Sequence, residues 1–101
     1  MYEFIKGKLV SVTPAYAVID NSEIGYFINI SLNTFSKIQG LADCQLFIHQ
    51  TIREDANILY GFFKQTEREI FRHLITVSGV GSNTARMILS SMSPDEITEA
   101  I

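Results

Sequence analysis

The stretch 74–89, LITVSGVGSNTARMIL, constrains the fold most strongly, because it predicts two helices joined by a tight turn. Apolar residues recur at helical spacing before the turn, so the first helix has one apolar face. These positions are Ile70, Phe71, Leu74 and Ile75. Gly79 and Gly81 then interrupt the helical pattern, since glycine adopts backbone angles that other residues resist. The stretch therefore indicates a compact helical hairpin.

The second helix of the hairpin predicts a surface that can hold a phosphate. Ser82 or Asn83 is expected to cap this helix, and Val80 is expected to pack between the two helices. Uncovered backbone N–H groups at the positive end of a helix bind anions, particularly where little side-chain bulk lies above them. The pattern is typical of a DNA-binding helix-hairpin-helix motif. The predicted contact residues are Gly79, Val80, Gly81, Ser82, Asn83 and Thr84.

Two observations weigh against DNA binding. A short glycine motif is weak evidence alone, because an ordinary helical turn that ends in glycine gives the same pattern. The chain also carries eight basic and eleven acidic residues, a net charge of −3, whereas nucleic-acid-binding proteins are usually basic. Any DNA contact must therefore come from a local surface, since net charge governs non-specific attraction rather than one site.

The composition is that of a folded protein with one domain or two very small ones. Of 101 residues, 47% are hydrophobic and 19% are charged, and no apolar run approaches the roughly 18 residues that span a membrane. The single cysteine, Cys44, is expected to be a small buried hydrophobe and fits a reducing, cytoplasmic compartment. His49 and His73 are far apart in the sequence and, with a lone cysteine, predict no metal site; both are expected on the surface.

Residues 2–62 form a run of short strand-like segments, which predicts a small barrel. Gly7 is expected to mark a bulge or bend, and one helical turn is expected within 31–41. Five strands with a helical insert favour an OB-fold β-barrel, and an SH3-like barrel is the alternative. The predicted domains are the barrel at 1–63 and an α-helical hairpin domain, truncated, at 64–101. The predicted strands are 2–12, 15–20, 24–30, 45–52 and 58–63.

Basic residues are expected on the polar face of the first helix, predicted at 64–76. Lys64, Arg68 and Arg72 recur every fourth residue, so they align along it. Arg86 lies on the second helix of the hairpin. These four side chains are the predicted phosphate partners beyond the backbone.

Tyr60 and Phe62 end the fifth predicted strand in a buried-looking segment, LYGF. We expect them to pack in the core or between barrel and helices; stacking on bases, as on some OB surfaces, is the alternative.

The turn between the fourth and fifth strands carries an acidic pair, Glu54 and Asp55. Two carboxylates on an exposed hairpin tip repel phosphates. A plain polar turn, in which both carboxylates are only solvated, is the alternative.

The last residues predict the start of another helix. Ser93 is expected to cap it, with proline at the first position and Glu96 at the third. The chain ends at Ile101 after about two turns and without a closing residue, so we expect a piece of a longer protein.

The order of these motifs resembles the RuvA family. A predicted barrel contains REDA at 53–56 and LYGF at 59–62, and GVG at 79–81 and ARMILSSMS at 85–93 follow a helix. The resemblance covers the whole chain. It implies an OB-fold domain, a domain with two helix-hairpin-helix motifs and a mobile C-terminal domain. This chain contains only the first of the two motifs.

The resemblance implies a subunit that binds four-way (Holliday) DNA junctions in recombination and repair and has no active site or cofactor. Four subunits form a square plate that holds the junction open and flat, and two plates can enclose one junction. The RuvB ATPase drives branch migration and is contacted through the C-terminal domain, beyond this chain. The RuvC resolvase is a further expected partner, and no membrane is involved.

The resemblance also implies roles for single residues. Glu54 and Asp55 match an acidic pin that, in four copies, would keep phosphates away from the junction centre. Arg53 matches a DNA contact near that centre, and a surface ion pair with the adjacent carboxylates is the alternative. Asn83 stands where the family often has a basic residue, so one phosphate contact lacks its charge.

Two other functions stay open at this point. Helix-hairpin-helix motifs also occur in glycosylases and nucleases, which need a catalytic Lys or Asp, or clustered carboxylates around a metal. After Gly81 the only acids are Asp95, Glu96 and Glu99, which look like a helix cap. A single-strand-binding barrel is the third possibility, and it would prefer single strands to junctions.

Overall fold

The computed structural model describes residues 2–93 and 95–96 of the chain. Within these ranges there are five strands and three complete helices, and the predicted strands, helical turn and hairpin helices are confirmed with slightly different ends. None of the helices in the described ranges is long and apolar enough to cross a bilayer. In chain order the elements are β1 (Phe4–Val12), β2 (Tyr16–Asn21), β3 (Ile24–Ile30), α1 (Leu32–Ile38), β4 (Asp43–Ile52), β5 (Asn57–Phe62), α2 (Gln65–Ile75) and α3 (Ser82–Ser91).

The strands close into a barrel in the order β1-β2-β3-β5-β4. Neighbouring strands are antiparallel except β3 and β5, which run parallel with Ile28 opposite Leu59 and Ile30 opposite Gly61. A parallel pair needs a crossover connection, which α1 and β4 supply here. The predicted OB-like five-stranded barrel is therefore confirmed.

The barrel interior is filled by aliphatic side chains, because alternate residues of each strand point inward. Cys44 belongs to this core at 7% exposure, as predicted. The remaining buried members are Ile5, Ala17, Ile19, Ile28, Ile30, Ile38, Leu46 and Ile48.

Gly7 has a different role from the predicted one. The irregularity in the pairing of β1 with β2 lies between Leu9 and Ser11. At Gly7 the backbone of β2 passes so close that a Cβ atom would collide with the carbonyl oxygen of Asp20. Gly7 is thus a point of close strand approach, and the prediction of a bulge there is wrong.

A second apolar core lies between the barrel and the two long helices. Tyr60 and Phe62 of β5 are 4% and 1% exposed and pack against Phe71 of α2, with ring centroids 5.2 and 5.0 Å apart. The prediction of buried packing for these two aromatics is confirmed. Ala85 and Leu89 of α3 complete the cluster. β5 therefore serves as barrel wall and as floor of the helical core.

Arg68 is buried against the barrel, so the predicted exposed stripe on α2 is wrong at this position. Its side chain forms an ion pair with the Glu3 carboxylate and donates to the carbonyl oxygens of Glu3 (2.9 Å) and Ile48 (3.3 Å). Arg68 is 2% exposed, and its Nε is the one buried side-chain polar atom of the described residues without a hydrogen bond. Helical spacing alone cannot show which polar side chains an adjacent domain covers.

Glu67 is also buried, at 4% exposure, where it joins α2 to α1. Its carboxylate accepts hydrogen bonds from the hydroxyls of Ser31 (2.6 Å) and Thr34 (2.9 Å). The Thr34 hydroxyl in turn accepts from the Phe63 N–H at 3.1 Å. Burial raises the pKa of Glu67, and the two hydroxyl hydrogen bonds oppose that shift. This network fixes the chain where the barrel leads into α2.

His49 is half-buried rather than a plain surface residue, because it lies between β4 and α2. Its ring packs 5.2 Å from Phe71, and its Nδ1 accepts a hydrogen bond from Arg72 Nε at 3.2 Å. Burial lowers the pKa of His49, and the charges of Arg72 and Arg68 lower it further. A neutral imidazole is therefore part of the contact between α2 and the barrel.

Replacing Arg68 with methionine should show how α2 is anchored. Arg68→Met keeps an apolar stem but leaves the carbonyls of Glu3 and Ile48 without this donor, so we expect a loss of about 1–3 kcal/mol in the free energy of unfolding. The matched control is Glu3→Gln, at a side chain that is 62% exposed, with an expected change below about 1 kcal/mol. Urea unfolding measures both variants. Equal losses would show that the ion pair, and not the carbonyl contacts, holds the helix.

The stability of the protein should depend on the protonation of His49. The lowered pKa means that the unfolded chain binds a proton first as the pH falls through the ordinary value of 6.5. The stabilising contribution is therefore present above that pH and is lost below it. We expect the stability advantage of the wild type over His49→Gln to shrink between pH 7.5 and 5.5. Both proteins retain Glu67, so a constant difference in urea unfolding would contradict this role.

Candidate nucleic-acid interface

The turn between α2 and α3 is open to solvent, as the glycine pattern requires. Gly79 has a φ of +85°, in the left-handed region that glycine favours. Gly81 is the residue that precedes α3, with a φ of −84°. A Cβ atom at either glycine would meet no atom of the described part of the chain within 4 Å. The surface above the turn is therefore free for a ligand that approaches the backbone.

Neither predicted cap is used at the start of α3. The Ser82 side chain is turned inward, at 8% exposure, with its hydroxyl 3.0 Å from that of Thr51. The side-chain amide oxygen of Asn83, Oδ1, accepts from Arg86 instead of from a backbone N–H. No side chain of the described residues caps α3, so its first N–H groups keep their capacity to donate to an anion. The prediction of a Ser82 or Asn83 cap is wrong. Without such a cap, more backbone N–H groups at the start of α3 are available to a ligand.

Val80 lies between the two glycines and packs against the helical core. Its N–H donates to the Val77 carbonyl at 3.1 Å, which tightens the turn. The predicted position of Val80 against the helices is confirmed. Gly79, Gly81, Asn83 and Thr84 are exposed, while Ser82 is not.

Arg86 is held at the start of α3 by contacts on two sides. Its Nη2 and Nε donate to Asn83 Oδ1 at 2.9 and 3.2 Å, and its Nη1 donates to the Ile30 carbonyl at 3.0 Å. The guanidinium thereby joins α3 to the end of β3. Its positive charge stands one helical turn from Asn83, beside the first turn of α3.

The cations of α2 have separate environments. Lys64 is exposed and directly precedes the helix. Arg72 is half-buried, with its side chain 33% exposed, and it contacts His49, the Ile48 carbonyl and Glu69, whose carboxylate lies 3.9 Å away. Because Arg68 is buried, only Lys64 and Arg72 remain of the predicted row of phosphate partners on α2.

The acidic turn is a tight hairpin that joins β4 to β5. The Arg53 N–H donates to the Ala56 carbonyl at 2.7 Å, which closes the loop. Arg53, Glu54 and Asp55 are exposed at its tip. Within residues 2–93 and 95–96, no ion pair involves Arg53. The carboxylates therefore project into solvent from a rigid strand pair.

An open cleft of about 460 Å³ lies between the acidic turn and the start of α3. Its floor is the outer face of β3 and β5. Arg53 of the acidic turn and Asn83 of the first turn of α3 also line it. The lining residues are Phe27, Asn29, Arg53, Asn57, Ile58, Leu59, Tyr60 and Asn83. The cleft connects the two regions that the sequence predicts to meet DNA.

The end of the described chain begins the predicted further helix. The Ser93 N–H donates to Glu96 Oε1, and the Glu96 N–H donates to Ser93 Oγ, both at 3.1 Å. This reciprocal cap is the predicted one. The remainder of that predicted helix, at 94 and 97–101, lies outside the described residues. In the described residues no three His, Cys, Asp or Glu side chains are grouped so that they could hold a metal ion.

Comparison with known proteins decides the family. The family model described as RuvA N terminal domain matches residues 1–61. The chain belongs to the RuvA family. The RuvA of Bacteroides fragilis, a Holliday junction branch migration complex subunit, is 56% identical over 100% of this chain and 50% of its own length. That of Christiangramia forsetii is 52% identical over 100% of this chain and 52% of its own length. The chain spans about half the length of these RuvA relatives.

Three residues that line the cleft are absent from the sequence prediction. Phe27, Asn29 and Asn57 line the cleft but belong to no motif. Phe27 shows one signal in the sequence: it precedes the buried Ile28 in β3, so strand alternation places it on the outer face. Nothing in the sequence shows that α3 and the acidic turn lie on either side of that face.

Proposed function

We propose that this chain binds four-way DNA junctions as the N-terminal part of a RuvA-type subunit and carries out no chemistry itself. The open, uncapped start of α3 is the observation that carries the proposal, because it offers N–H groups to phosphate without side-chain obstruction. The two RuvA relatives supply the kind of DNA, since both are named as subunits of a Holliday junction branch migration complex.

Phosphate is contacted chiefly by the backbone of 79–84 in this proposal. Asn83 adds an amide donor and no charge, while Arg86 supplies a cation behind it. Lys64 and the outer part of Arg72 are the further candidates. A site built on amides suits a chain of net charge −3, because amides need no excess of basic residues. Phosphate contacts of this kind position a protein on DNA without reading its sequence.

The acidic turn acts by repulsion in this proposal. Glu54 and Asp55 are exposed and form no ion pair among the described residues, so no cation paired with them neutralises their negative charges. Four such turns around a fourfold axis would keep phosphates from settling at the centre of a flat junction. Arg53, beside them, is assigned a DNA contact at the edge of that centre.

Assembly and partners belong to the same proposal. Four copies form a plate, and two plates enclose a junction where both faces are covered. Contact with the RuvB ATPase is assigned to the part of the longer relatives that this chain does not span. RuvC resolvase would act on the face of the junction that one plate leaves open. Light scattering of the chain with and without a junction measures the number of copies.

Replacing Gly81 with alanine tests the phosphate contact. Among the described residues the added methyl meets no atom within 4 Å, and the backbone angle suits alanine, so the fold should be retained. We expect about tenfold weaker binding to duplex and to junction alike, because charge-assisted hydrogen bonds to phosphate are obstructed. Fluorescence anisotropy at fixed salt measures both affinities.

The control for this experiment is Gly25→Ala, at the start of β3, where the new methyl makes only an ordinary contact of 3.6 Å with Val18. That variant should bind DNA as the wild type does. Unchanged affinity of Gly81→Ala, or a loss confined to junctions, would contradict a backbone grip on phosphate.

Neutralising the acidic turn tests the repulsive role. For the double variant Glu54→Gln with Asp55→Asn, we expect junction affinity that is equal or higher, because eight carboxylates are removed from the centre of a four-copy plate. The conformation of the junction arms, followed by energy transfer between labelled arm ends, should change. A large loss of affinity would show that the acids assist binding. Cleavage of the junction by the wild type in Mg²⁺ would instead favour an enzyme.

A further inference from the structure

The cleft between the acidic turn and α3 contains apolar and aromatic side chains that a phosphate-binding site does not need. Four of its eight lining residues are polar, and its apolar part includes the half-buried Ile58 and Phe27, which is 54% exposed. Its volume of about 460 Å³ lies in the range of sites that hold small organic groups, about 300–1,000 Å³. These apolar side chains contribute nothing to the binding of phosphate, and they suit an apolar, flat part of a ligand instead.

Phe27 is supported from behind as a flat platform. Its ring is stacked on that of Tyr16, with centroids 4.6 Å apart and planes inclined by 26°. Tyr16 is half-buried in β2 and pairs with the neighbouring strand opposite Asn29. A ring held in this way loses little freedom when another flat group stacks on it. Exposed aromatic side chains on OB-type barrels bind nucleobases in this manner.

Three asparagines surround the platform, and each has one amide atom already occupied. Asn29 Nδ2 donates to the Leu59 carbonyl at 3.2 Å, so its oxygen is left to accept. Asn57 Oδ1 accepts from Gln50 at 2.8 Å, and Asn83 Oδ1 accepts from Arg86, so both keep their NH₂ groups to donate. Among the described residues, none of these three remaining atoms has a hydrogen-bond partner. The cleft therefore offers one acceptor and two donors in fixed orientations.

A backbone phosphate accepts hydrogen bonds but donates none, so the Asn29 side-chain oxygen cannot form a hydrogen bond with it. The edge of a nucleobase presents donors and acceptors side by side above a flat apolar ring. The combination of the aromatic platform, the apolar side chain of Ile58 and the mixed amide atoms fits a base better than any other part of DNA. Arg53 at the rim is placed to meet the phosphate of the same nucleotide.

We propose that this cleft holds one unpaired nucleobase of a DNA strand that runs from the glycine turn towards the acidic turn. The inference rests on the proposed function, because the strand is brought to the cleft by the phosphate contact at α3. It adds a preference for DNA with an unpaired base, which the backbone contact cannot supply. At a four-way junction such a base becomes available where paired strands exchange partners.

Three DNA probes of equal length separate the base from the backbone. The first is a fully paired duplex, the second has one bulged base, and the third has an abasic bulge at the same position. We expect the wild-type chain to bind the bulged base about tenfold more tightly than the abasic bulge, because one base–aromatic stack is added. Phe27→Ala should remove this difference and leave binding to the paired duplex unchanged. Fluorescence anisotropy measures all affinities.

The matched control is Phe4→Ala, since Phe4 is similarly exposed, at 50%, on β1, outside the cleft. It should keep the preference for the bulged base, as should Phe27→Tyr. If Phe27→Ala unfolds, as judged by circular dichroism, Phe27→Leu keeps the apolar volume and still removes the aromatic face. Equal wild-type binding to the two bulges, or a preference that survives in Phe27→Leu, overturns the inference alone. Failure to bind the paired duplex overturns the proposed function as well.

Discussion

The packing of α2 against the outer face of β5 is the contact on which the arrangement of the proposed site depends. Alternate side chains of β5 point to opposite sides, so the strand closes the barrel through Leu59 and supports the helices through Tyr60 and Phe62. Phe71 rests on both aromatics. Since β5 starts at the acidic turn and leads into α2, this one interface fixes the separation of the acidic turn from the glycine turn.

Charged groups secure that interface at its edges. Arg68 and Arg72 both donate to the Ile48 carbonyl of β4, and Glu67 accepts from two hydroxyls of the α1 segment. Such hydrogen bonds from charged groups add little to stability compared with apolar packing, but leaving the buried Arg68 or Glu67 without its hydrogen-bond partners is unfavourable. They therefore favour one orientation of α2 on the barrel over slightly rotated or shifted ones. A site formed by both the acidic turn and the start of α3 requires such a fixed orientation.

The α3 surface is built with little formal charge. Its donors are backbone N–H groups and the amide of Asn83, and the nearby cation, Arg86, is tied to the barrel through Ile30. Fixed dipoles of this kind act only at short range and are arranged before the ligand arrives. The net charge of −3 is thus compatible with a local anion site, while the two exposed carboxylates of the acidic turn lie across the cleft from it.

The sequence by itself determined the elements of this protein: five strands, the inserted helical turn, the glycine hairpin and the acidic tip. Those follow from local rules, since alternation, helical spacing and turn residues act over a few positions along the chain. The sequence could not determine the burial of Arg68 and Glu67, the inward turn of Ser82 or the cleft around Phe27. Each of these depends on which surfaces meet when the helices pack on the barrel, and residues far apart in the chain are brought together only by that packing.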